Sequence, residues 1–156
     1  MKQLLFNHEP VIRTFMEELV QTPGAFSEGR GVGLIDCDDD IMEAKLLAGA
    51  WFEKYNGVNM NIHIAAMPGA AWLNREFLWY CFHYAFEICN CKRLTGYVEA
   101  SNFAARRFDE HLGFELEFVQ KDAAPGGDML VYVMWREKCR WLKLLGPRFN
   151  TQKRVH

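Results

Sequence analysis

The sequence predicts an α/β domain of the α+β kind: a mixed, mostly antiparallel central sheet with helices on both faces and one parallel strand pair. Short segments of alternating apolar and polar residues recur between turn signals, which is the patterning of hairpins. One long apolar helical segment, residues 70–89, lies between two strand segments and requires a crossover, which favours parallel neighbours. A chain of 156 residues, 50% of them apolar, suffices for a single sizeable core, so residues 1–156 are read as one domain.

The elements follow in order. Residues 2–6 form a first strand. Residues 9–20 carry Val11, Ile12, Phe15, Leu19 and Val20 at helical spacing, closed by Thr22-Pro23-Gly24. After a loop over 25–31, residues 32–36 make a short strand, Asp38-Asp39-Asp40 a turn, and residues 44–55 a longer strand. Asn56-Gly57 is a strong hairpin signal, because both residues tolerate positive φ, and residues 59–67 alternate as the next strand. Pro68-Gly69 breaks that pattern. The helix over 70–89 is apolar nearly all round, through Trp72, Phe77, Trp79, Phe82 and Phe86. It therefore needs cover from the sheet and also from a loop or a second copy of the chain. Residues 93–100 form a strand, 103–111 a short helix, 116–123 a strand, Pro125-Gly126-Gly127-Asp128 a hairpin loop, and 129–136 the closing strand.

Charge and cysteine usage narrow the function classes. The net charge of −2 is unevenly placed: Lys138, Arg140, Lys143, Arg148, Lys153 and Arg154 follow the last acidic residue, making a basic tail from about 138. Such a tail reads as a solvated terminus after a last short helix, and nucleic acid is not an expected partner. The opening residues turn polar too soon for a signal peptide and no apolar run reaches spanning length, so a cytoplasmic protein without membrane contact is expected. Five cysteines without paired spacing read as reduced thiols. Neither Cys89-Asn90-Cys91 nor the run Asp36-Cys37-Asp38-Asp39-Asp40 has the spacing of a metal site, and no metal is predicted.

The segment from Glu99 to Phe114 is the most specific stretch of the chain. Ser101 or Asn102 can accept hydrogen bonds from the free amides of a first helical turn. Ala105, Phe108 and Leu112 form one apolar stripe, and Gly113 suits a left-handed helix cap. With Asn102, Ala105, Phe108, Gly113 and Phe114 at this spacing, the segment resembles the last conserved motif of the GNAT N-acetyltransferases. The order of elements resembles that family's fold over almost the whole chain. Tyr84-Ala85-Phe86, the strand from Arg93 to Val98 and the motif around Asn102 look most similar to the branch that includes ribosomal-protein N-terminal acetyltransferases, of the small type found in phage and prophage genomes.

The resemblance implies acetyl-CoA as co-substrate, lying in a V-shaped opening between the strand ending near Met67 and the strand ending near Ala100. Its pyrophosphate would sit on the amides that open the long helix, where the helix dipole favours an anion. The residues this assigns to the cofactor are Ala65, Ala66, Met67, Gly69, Ala70 and Ala71, with Asn102, Ala105 and Phe108 from the motif. Arg75 and Arg106 are candidates to meet phosphates. Two departures stand out: the loop keeps Gly69 and Ala71 but lacks the family's leading Gln or Arg, and the family's Tyr on the motif helix is replaced by Asp109.

Acetyl transfer needs a neutral amine, a polarised carbonyl and a proton for the departing thiolate. His63 alternates to the face opposite Ile62 and Ile64, and histidine as a residue type titrates near neutrality, so it is the first candidate base. Glu53 and Glu99 are alternates, and Ser101 or Asp109 are candidate donors to the thiolate. The function implied is an N-acetyltransferase acting on a primary amine, a protein N-terminus or lysine, in a ternary complex. The alternative is a GNAT-fold protein that has lost transfer chemistry and serves as a binding or virion-associated interaction module.

Overall fold

The computed structural model describes residues 1–22, 24–37, 44–69 and 74–143. β1 (Lys2–Leu5) leads into α1 (Glu9–Leu19), and β2 (Gly29–Asp36), β3 (Lys45–Glu53) and β4 (Asn59–Ala66) follow. α2 (Arg75–His83) runs on through a π-helical turn, Tyr84–Ile88, to β5 (Arg93–Glu99). α3 (Phe103–Leu112), β6 (Glu115–Ala124), β7 (Gly127–Trp135) and two short 3₁₀ turns, Arg136–Lys138 and Arg140–Lys143, complete the described chain. Among the described residues the strands form one sheet in the order β1-β2-β3-β4-β5-β7-β6. Every neighbouring pair is antiparallel except β4 and β5, which are parallel because α2 crosses between them. This is the mixed sheet expected from the sequence.

The main core lies between the sheet and α2 with α3. Val32, Leu34, Ala50, Phe52, Met60, Ile62, Leu94, Val98, Leu130 and Tyr132 alternate onto that face and meet Phe77, Leu78, Phe82 and Phe86. A smaller core on the other face packs Ile12 and Met16 of α1 against Phe26 and Trp51. The helix α1 spans only the β2–β4 part of the sheet.

Several boundaries differ from the sequence expectation, β7 for one starting at Gly127 rather than 129, and three of them have a clear local reason. The strand β2 begins at Gly29 rather than 32, because Gly29 and Gly31 pass under Trp51, where a Cβ on Gly31 would stand 2.9 Å from the indole ring. The connection between β3 and β4 is wider than a two-residue turn. Lys54 and Gly57 take positive φ (57° and 96°), and Asn56 Oδ1 accepts hydrogen bonds from the amides of Val58 and Asn59. The helix α2 begins at Arg75, not at residue 70, because Asn74 is extended and its Oδ1 accepts from the Phe77 amide at 3.0 Å, closing the helix start. Ala70, Ala71 and Trp72 lie outside the described residues, as does the Asp38-Asp39-Asp40 turn.

Cover for α2 comes from its own chain. Cys139 and Trp141 are buried beside it, and the Trp141 indole donates to the Leu112 carbonyl at 2.7 Å. The basic segment is therefore docked where it starts, with Lys138 paired to Glu115 at 2.9 Å. All five cysteines are free thiols, and no group of residues suited to hold a metal is found among the described residues. No described helix is long and apolar enough to cross a membrane.

Candidate functional site

β4 and β5 are paired over three residues only: Asn59 with Arg93, Met60 with Leu94, and Asn61 with Thr95. At the apex Thr95 Oγ1 donates to Asn59 Oδ1 at 2.8 Å, and beyond it the ladder ends, leaving a slot between Ile62–Ala66 and Gly96–Glu99. The two faces of this slot carry different chemistry.

On the α1 face stands His63, with its side chain 23% exposed. Its Nε2 lies 2.7 Å from Glu53 Oε1, and its ring packs on Phe26 with centroids 4.7 Å apart. Glu53 is only 7% exposed, and its Oε2 accepts from the backbone N–H of Ser27, at 2.6 Å, and from the Ser27 hydroxyl. Burial opposes the charge of Glu53, but the hydrogen bonds from His63 and Ser27 outweigh it and hold the carboxyl at about 2. The loop that supplies Ser27 is fastened to the body of the fold: Trp51 Nε1 donates to the Ser27 carbonyl at 3.0 Å, and Arg13 donates to the Phe26 carbonyl.

On the opposite face, α3 lays Asp109 over β5. A Cβ on Gly96, the first residue of β5 past the apex, would stand 3.8 Å from Asp109 Oδ2. Burial, with a smaller push from the adjacent Glu110, raises the Asp109 carboxyl to about 7. Its half-buried side chain makes no hydrogen bond among the described residues, so near neutrality the carboxyl beside the slot is protonated in a sizeable fraction of molecules.

The other residues singled out by sequence divide by position. Asn102 caps α3, its Oδ1 accepting from the Ala105 amide at 3.1 Å, and Gly113 closes the helix with φ 109°. Ala105 and Phe108 pack on the main core, and Ala65 on the smaller one. Ala66 and Met67 end β4, where the Met67 amide donates to the Leu47 carbonyl at 2.8 Å. Gly69 has φ 74° and open space around it, and Arg75 is exposed on the first turn of α2. Arg106 is committed to the fold: Nη1 donates to the Ala100 carbonyl at 3.0 Å and the guanidinium lies over Phe103. Glu99 and Ser101 are exposed near the end of β5 and are not brought to His63; neither side chain makes a hydrogen bond among the described residues.

Ser27, Phe26 and Trp51 escaped the sequence reading. Ser27 sits in a loop without periodicity, and Trp51 reads as an ordinary core residue. The signal that could have found the Glu53–His63 pair is strand register, since Trp51 lies opposite His63 and Glu53 opposite Asn61, which puts Glu53 and His63 on one face as diagonal neighbours.

No family model and no curated protein matches the sequence. Solved structures do match in shape. A spermidine N-acetyltransferase from Vibrio cholerae, solved in complex with CoA and spermine, has a TM-score of 0.67 at 14% identity over 88% of this chain and 96% of its own. A dodecameric structure of spermidine N-acetyltransferase from Vibrio cholerae gives 0.68 at 13% identity, over 88% and 95% of the two chains. A GNAT-family acetyltransferase from Bacillus anthracis gives 0.57 at 19% identity, covering 80% and 73%. At these identities the likeness is one of fold.

Proposed function

We propose that this chain puts its GNAT fold to the use for which the slot is suited, transfer of an acetyl group from acetyl-CoA to a primary amine. The observation that carries the reading is the slot itself: it opens at the point where the β4–β5 ladder stops, with an imidazole on one face and a raised carboxyl on the other. In this reading the acyl-pantetheine chain lies between the strands beside Ala65, Ala66 and Gly96, which carry little or no side chain. Gly69 and the free first-turn amides of α2, with Arg75 beside them, suit the phosphates.

In this reading His63 takes a proton from the acceptor ammonium, and the freed lone pair forms a bond to the thioester carbonyl carbon. The C–S bond breaks with its electron pair on sulfur, and the sulfur takes the proton held by Asp109. The amine nitrogen gives up its second proton to water as the amide forms, and Asp109 is reprotonated from water. Base and acid lie on opposite faces of the sheet, so the reading requires each to reach the reacting carbonyl from its own side. Glu28 in the loop before β2, Glu99 at the end of β5 and Asp122 in β6 are exposed acidic groups that would attract a cationic amine. A protein N-terminus or lysine is the acceptor suggested by the motif around Asn102, and a polyamine is the one suggested by the structural neighbours.

One observation favours the rival reading of a binding module without chemistry. Asn74 occupies the Phe77 amide, which leaves fewer helix-start donors for a pyrophosphate. Calorimetry with acetyl-CoA, followed by transfer assays with an unblocked peptide and with spermidine, decides between them. Micromolar binding and acetylation of either amine support transfer. Absence of binding at millimolar acetyl-CoA overturns it in favour of the binding module.

A further inference from the structure

We infer that Ser27 and Glu53 are positioning residues that fix His63 as its Nε2–H tautomer, which leaves Nδ1 as the atom that removes the proton from the acceptor amine. The catalytic half of this inference rests on the acetyltransferase reading; the tautomer does not.

Glu53 has two oxygens and the structure assigns each a task. Oε2 takes both the amide and the hydroxyl of Ser27, and Oε1 faces His63 Nε2 at 2.7 Å. A carboxyl held at about 2 is ionised at every pH of interest and can only accept. The hydrogen between Oε1 and Nε2 must therefore belong to the imidazole, whether the ring is charged or neutral. The neutral ring then carries its lone pair on Nδ1. Among the described residues Nδ1 has no hydrogen-bond partner, and no buried side-chain nitrogen or oxygen lacks one, so Nδ1 is reached by solvent.

The orientation is over-determined. Phe26 packs on the imidazole at 4.7 Å, which restricts ring rotation. Ser27 cannot drift from Glu53, because its carbonyl is held by the Trp51 indole and the preceding carbonyl by Arg13. A base oriented by a carboxylate that is itself oriented by a hydroxyl follows the logic of nucleophile–base–orienter sites. Nδ1 gains the first ammonium proton while Nε2–H stays hydrogen-bonded to Glu53. The amine nitrogen's second proton passes to water as the amide forms, and the imidazolium returns its proton to water after the acyl group has moved.

The test is a long-range ¹H–¹⁵N correlation spectrum of the full-length protein with labelled histidine, His63 being assigned by its loss in His63→Gln. The expected result, read at a pH high enough to leave the ring neutral, is a protonated Nε2 and an unprotonated Nδ1 on His63. In Glu53→Gln the new amide can donate to Nε2, so the Nδ1–H form gains population. The same change should lower kcat about a hundredfold while the KM for acetyl-CoA is unchanged. Ser27→Ala, a milder change, should show part of both effects with the fold retained. A neutral parent ring protonated on Nδ1 and bare on Nε2, or a Glu53→Gln spectrum with the parental tautomer, overturns the inference. If the tautomer is as expected and the parent acetylates no amine, the positioning stands and the acetyltransferase reading falls.

Discussion

Asp109 and Glu53 are two carboxyls driven in opposite directions by their surroundings, and the difference suits them to the different roles proposed for them. Burial dominates at Asp109 and no donor answers it, so its proton is retained to about pH 7. Glu53 is also buried, but its donors win and it stays charged. A group that gives up a proton during turnover has to resemble the first, and a group that orients a neighbour has to resemble the second. Asp109→Asn keeps the shape and removes the proton. It is expected to lower kcat roughly tenfold near neutrality and to abolish any fall in rate that sets in above about pH 7. A pH–rate profile of the variant with an unchanged alkaline limb would exclude Asp109 as the donor.

At the scale of elements, the strands, the α3 cap at Asn102 and the Gly113 stop were legible in the sequence because each follows from local patterning. Asn102→Ala should cost about 1 kcal/mol in urea unfolding, and a loss of activity beyond the loss of fold would place the side chain near the acyl chain as well. What sequence could not supply was register. Read as a tight two-residue turn, Asn56-Gly57 would bring Glu53 opposite Met60 and turn His63 to the other face. The wider loop, with Lys54 at φ 57°, shifts the pairing by one residue and unites them. The start of α2 was misread for a related reason, since a run of apolar residues hides an extended Asn74 that only its hydrogen bond to Phe77 explains. Gly69 lies before that start, exposed and at φ 74°. Gly69→Trp should weaken acetyl-CoA binding at least tenfold by calorimetry, with a strain cost of about 1–2 kcal/mol from the left-handed backbone. An unchanged dissociation constant would move the phosphate site elsewhere.

For the whole molecule the two carboxyls contribute opposite pH dependences of stability. Glu53 has a folded value below its ordinary 4.5, so its contribution is present above pH 4.5 and is lost as pH falls towards 2. Asp109 has a folded value above its ordinary 3.8, so the folded state holds the extra proton and stability declines as pH rises from about 4 to about 7. Asp109→Asn should therefore melt higher than the parent at pH 8 and equally at pH 4, and identical melting differences at both values would contradict the burial of that charge. The short β4–β5 ladder has its own consequence. The sheet is two half-sheets, β1–β4 and β5-β7-β6, hinged at three residue pairs. The facing backbone groups beyond Asn61 and Thr95 have no partner strand, so their amides form a seam that should exchange with deuterium fast in the free protein. A chain filling the seam would slow that exchange on both strands at once, and the slot-facing amides among residues 62–66 and 96–99 should protect together with acetyl-CoA if one ligand bridges the halves. Protection of one strand alone would mean that the halves work without being joined.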